Sequence, residues 1–222
     1  MRQMARVSTL VLALAAMTAV FSMSAARPAL GAAVAPPLDR QAFHDAMRKL
    51  WEDHVTWTRL VIVSKLTLPD DLPDLGPTVD RLLQNQVDIG NAVAPFYGAA
   101  AAAELTALLT EHIVVAADIL AAAREGDSAA LEAGLEAWYD NGHEIAVFLN
   151  SANPRHWPLA EMDQMMKEHL DLTLAEAVAR LEGRYADDIA AYETVHQQIL
   201  HMADMLSDGI IAQFPQKFSG AR

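Results

Sequence analysis

The chain has 222 residues, no cysteine, 53% hydrophobic residues and a formal net charge of −13. That length supports one domain with a substantial core, and the apolar fraction is too high for a disordered chain. Without cysteine there are no disulfides, thiolate metal sites or cysteine nucleophiles; 29 acidic against 16 basic residues argue against a nucleic-acid partner.

Residues 1–31 read as a signal peptide. Arg2 and Arg6 precede the uncharged apolar run Val7 to Phe21, and small residues follow, with cleavage between about residues 24 and 33. An uncleaved anchor is the alternative, because Val7 to Ala26 carries no charge and nearly spans a bilayer. The expected location is periplasmic or extracellular, with no stable membrane insertion after cleavage. The longest later apolar stretch, Ile89 to Ala103, is interrupted by Pro95 and Gly98. Residues 32–38, with Pro36 and Pro37, read as a flexible lead-in, 39–214 as a helical-bundle domain and 215–222 as a C-terminal tail.

The domain is rich in alanine, leucine and charged helix formers, with glycine and proline at punctuation points. Helices are predicted over 39–66, 78–96, 99–125, 128–152, 158–182 and 184–213. Thr78, Asp127 and Ser128 are natural N-caps. Apolar spacings of three and four recur, as in Leu105, Leu108, Leu109, Ile113, Ala116 and Leu120. The predicted fold class is all-α: a six-helix antiparallel up-and-down bundle of three helical hairpins.

A quasi-repeat of about 57 residues supports the hairpins. Glu111-His112 and Glu168-His169 are each followed, after twelve intervening residues, by a Glu-Gly turn. Asn85, Asp88 and Ile89 recur as Asn141, Glu144 and Ile145. Outward extension adds Asp53-His54 as a first copy, and Gln198 with His201 as a last. His112 and Asn141 flank Gly126 at nearly equal distances, as His169 and Gln198 flank Gly183. At about 1.5 Å rise per residue, each pair sits roughly 21 Å from its turn, at one level.

The expected site is therefore an inward layer of His54, His112 and His169 with Asp88 and Glu144. Asn85, Asn141 and His201 are supporting or alternate ligands. Bundles build metal sites from inward His, Asp and Glu on facing helices, and such a set suits zinc, iron, copper or manganese. The competing reading is a buried hydrogen-bond network that fixes helix register.

Other motifs carry less. Glu193-x-x-His196 matches one half of a di-iron carboxylate pair, but the second Glu-x-x-His is missing. Met162, Met165, Met166, Met202 and Met205 suit copper chemically and core filling structurally. Trp51, Trp57, Trp138 and Trp157 read as packing residues. No phosphate loop, nucleophile elbow or zincin motif occurs, and no catalytic residue is assigned.

Leu50 to Leu60, Arg81 to Gly90, Phe148 to Pro154 and Gln213 to Phe218 resemble a group of uncharacterised bacterial exported helical proteins, over nearly all of the mature chain. The resemblance implies an all-helical fold and no activity. The leading expectation is an exported bundle that binds, stores or senses a transition metal. The alternatives are a cofactor-free envelope protein that holds a protein partner or forms a homo-oligomer, and a metal-dependent oxidoreductase or hydrolase.

Overall fold

The computed structural model describes residues 36–219, so the predicted signal peptide lies outside the described residues. The chain is all-helical. Five helices follow in order: α1 (Arg40–Lys65), α2 (Leu75–Glu125), α3 (Ser128–Ala152), α4 (Leu159–Leu181) and α5 (Tyr185–Gln213). The side chains of Asp39 and Asp127 cap α1 and α3 by accepting from Ala42 N (2.8 Å) and Ala130 N (3.1 Å). Thr78 is not the cap expected of it. The helix begins at Leu75, where Pro77 is tolerated because the first turn has no intrahelical donor to lose. Thr78 Oγ1 instead donates to Asp74 O at 2.7 Å.

The expected break between the second and third helices takes another form. One 51-residue element carries a single non-helical residue, Gly98, at φ 88° and ψ 169°. That conformation is essentially confined to glycine, and Pro95 just upstream removes a helical donor. The chain folds back there. Gly90 lies so close to Thr106 and Ala102 that a Cβ on it would overlap Thr106 Oγ1 and stand 2.8 Å from Ala102 O. Leu82 before the bend shares a buried cluster with Ile113 and Leu120 after it.

α1 packs on α2 and α5, α3 lies between α2 and α4, and α4 packs on α5, closing the helices into a ring. The larger core joins Met47, Trp51, Ile89, Leu109, Trp138, Ile145, Leu170, Ile199 and Met202. Of the methionines, Met162, Met166 and Met202 are buried core residues. By length and composition α2 is apolar enough to cross a membrane, with mean hydropathy 1.7 over its most apolar 18 residues. Its Leu105, Leu109 and Ile113 are core residues of the bundle.

The segments flanking the helices are also more structured than expected. Leu38–Asp39 and Phe218–Ser219 pair as a two-residue parallel ladder, after a 3₁₀ turn at Pro215–Lys217. Phe218 is buried against Phe43 and Phe96, with ring centres 5.2 and 5.6 Å away. These aromatics tie the segment after α5 to α1 and α2, which neither composition nor periodicity indicated.

Candidate functional site

Three histidines from three helical segments meet inside the bundle: His54 on α1, His112 after the bend in α2, and His169 on α4. Each is 3–4% exposed. Ring centres lie 5.8 Å apart for His54 and His169 and 6.4 Å for His112 and His169. Each ring occupies the inward stripe of its helix. Trp51 meets His54 edge-on, and Trp138 stacks on His112 at 5.2 Å.

Amides on the intervening segments hold the layer by one recurring rule. Asn85 Nδ2 donates to Leu50 O, Asn141 Nδ2 to Leu108 O and Gln198 Nε2 to Met165 O, at 3.0–3.1 Å. Each acceptor is the residue four before a histidine of the layer. The amide oxygens of Asn141 and Gln198 then face His112 Nδ1 (2.9 Å) and His169 Nδ1 (3.2 Å). With the amide nitrogens spent on carbonyls, both oxygens must accept, so Nδ1 carries the proton and Nε2 the lone pair. Among the described residues, neither Nε2 makes a hydrogen bond.

The first copy differs. Gln86, which the sequence analysis did not single out, places Nε2 3.4 Å from His54 Nδ1 and donates to Leu82 O at 2.7 Å. Its own Oε1 is buried without a partner.

The carboxylates are not in the layer. Asp88 is half-buried beside Gln84 (3.1 Å) and Arg81 (3.6 Å), and Glu144 and His201 are exposed. Three residues turn a helix through roughly 300°, off the buried seam, whereas four continue along it. The inward stripe runs from Asn85 to Ile89, Asn141 to Ile145 and Gln198 to Met202. Among the described residues, no three His, Asp or Glu side chains are grouped closely enough to hold a metal as they stand.

Burial keeps the imidazoles neutral. It lowers His112 to about 3, with His169 adding to the effect, and His169 to about 4. His54 is held well below its ordinary value by burial and by the neighbouring His169 and His112. A neutral imidazole with a free Nε2 can accept a hydrogen bond or ligate a metal.

A second polar cluster was missed in the sequence. Arg59 on α1 bridges two buried carboxylates: Nη1 donates to Glu176 Oε1 on α4 at 2.9 Å and to Asp188 Oδ1 on α5, and Nη2 donates to Asp188 Oδ2 at 3.0 Å. Burial raises Glu176 to about 7, against the lowering effect of Arg59. An arginine five residues after His54 gave no signal of this, since its partners lie more than a hundred residues away.

His44 touches Ser207 Oγ (2.7 Å) and Asp208 (3.0 Å), a superficial likeness to a nucleophilic triad. Ser207 is fully buried, and its hydroxyl also faces Ala203 O at 2.8 Å, so it cannot reach a substrate. Glu193 and His196 lie on the surface, where His196 pairs with Glu52 at 2.9 Å. Comparison with known proteins finds no matching family model, no similar curated protein and no similar solved structure.

Proposed function

We propose that this protein binds one transition-metal ion through Nε2 of His54, His112 and His169, serving to bind, store or sense it. One observation carries the reading. His112 and His169 are buried, neutral and fixed through Nδ1, yet their Nε2 lone pairs have no protein partner among the described residues. A metal-ligating histidine characteristically gives its other nitrogen to an oxygen that fixes its tautomer, as Asn141 and Gln198 do here.

A metal about 2.1 Å from each nitrogen would bring the ring centres to roughly 5 Å. The separations of His169 from His54 and from His112, 5.8 and 6.4 Å, would each shorten by about 1 Å on binding. An all-imidazole set favours zinc, copper or iron over manganese. The recurrence of histidine and amide supports three hairpins of about 57 residues, with the bend at Gly98 dividing α2 into two limbs and giving six in all.

Isothermal titration of chelator-treated protein with zinc tests the site. One saturable equivalent, weakened about 10–100-fold by Asn141→Ala, is expected from loss of the orienting amide. No saturable heat would overturn it. The exported location is part of the same proposal. Protein recovered from a periplasmic fraction should begin inside the window of about residues 24–33, and an intact Met1 there would contradict cleavage.

A second reading rests on Gln86. With its amide nitrogen facing His54 Nδ1, His54 carries its proton on Nε2 and becomes a donor beside His169. That arrangement suits a cofactor-free hydrogen-bonded layer in an interaction or structural protein. Zinc binding that survives unchanged in Gln86→Leu would remove its support.

A further inference from the structure

A cavity of about 150 Å³ lies one helical turn from the histidine layer, walled by Val61, Ile62, Leu82, Ile113, Leu120 and Ala177. Its surface is almost wholly apolar. Two threonines enter the wall, but Thr58 Oγ1 donates to His54 O and Thr173 Oγ1 to His169 O, both at 2.8 Å. Their hydroxyls are thus committed to the backbone. Asp118 is the charged lining residue, and it is solvent-exposed.

Small residues keep the space open. Ala116, Ala117 and Ala177 stand on the wall where leucine would fill it. Ala116 is the fourth residue after His112, the position that Thr58 and Thr173 take after His54 and His169. Apolar cavities of this size stay dry and take up one-ring hydrocarbons, whereas an unfilled one weakens the core around it.

We infer that this cavity is a binding site for one small uncharged apolar molecule, of about the size of a single aromatic ring. Charge is excluded because the buried wall offers no counter-ion and no free hydrogen-bonding group. Trp138 lines the cavity and also stacks on His112, so an occupant would touch a side chain of the histidine layer. The inference is independent of metal binding.

Toluene and benzoate are the probes, applied to chelator-treated protein so that failure here is separate from failure of the metal site. Toluene should bind saturably and raise the unfolding temperature, and benzoate should do neither. Ala177→Phe, which fills the cavity, should abolish the toluene response by at least tenfold in affinity while the protein stays folded. Ala117→Leu serves the same purpose if Ala177→Phe does not fold. The His112→Ala/His169→Ala double variant should still bind toluene. No saturable toluene response in the wild type, or an undiminished one in the folded filled variant, would overturn the inference.

Discussion

Asn141 and His112 lock one another: the amide donates to Leu108 O, one turn before His112, and accepts from His112 Nδ1 at 2.9 Å. The residue on α3 thus sets the tautomer and the orientation of a ring on α2. Replacing Asn141 with leucine leaves the buried imidazole N–H unpaired, while Leu108 O keeps its helical partner. The expected loss is about 1–3 kcal/mol in urea unfolding. A loss below about 0.5 kcal/mol would mean the pair does not hold the layer.

Stability should fall in acid, and the sign follows from the shifts. Folded His112 and His169 titrate at about 3 and 4, and His54 is also lowered, whereas an unfolded chain takes up these protons near pH 6.5. Their contribution is full above about pH 6.5 and is lost as pH falls toward 3. Glu176 runs oppositely: its folded value of about 7 lies above the ordinary 4.5, so its contribution is full below 4.5 and lost as pH rises through 7. Three groups against one make stability rise with pH between about 4.5 and 6.5. His112→Gln should flatten that limb in urea midpoints measured against pH; an unchanged limb would assign it elsewhere.

Arg59 neutralises Glu176 and Asp188 where water does not reach them. Arg59→Met strands Glu176 and leaves Asp188 with Arg180 at 3.6 Å, and breaking a buried pair in this way costs about 3–5 kcal/mol. The loss should be larger at pH 8 than at pH 5, because Glu176 can escape its charge by protonation at the lower pH. Equal losses at both values would show that Glu176 is not the responsive group.

The reversal of α2 depends on two glycines. Gly90→Ala drives a methyl into Thr106 and Ala102, and Gly98→Ala forces a side chain onto a backbone with φ of 88°. Each should destabilise the fold by about 1–3 kcal/mol. Thermal melts check both. A Gly98→Ala protein as stable as the wild type would contradict a sharp bend there.

The periodicity made the all-helical class legible, and the equal spacing about Gly126 and Gly183 placed His112 opposite Asn141 and His169 opposite Gln198. It could not decide which neighbour three or four residues on points inward. Asp88 and Glu144 share their helices with the inward amides, yet the seam continues through Ile89 and Ile145. Gln86 escaped notice because the link from Lys65 to Leu75 is longer than the turns at Gly126 and Gly183, which blurred the register. Arg59, Glu176 and Asp188 escaped for another reason: an ion cluster drawn from three distant segments leaves no local pattern.

Metal content is the most direct test of the central claim. The protein, expressed from its full sequence and purified without a histidine tag or chelator, should be analysed for transition metals by mass spectrometry. The account predicts about one equivalent of a single metal, absent from a folded His112→Ala/His169→Ala variant. Metal-free protein that also fails to take up added zinc, iron or copper would contradict it and leave the three histidines as architecture.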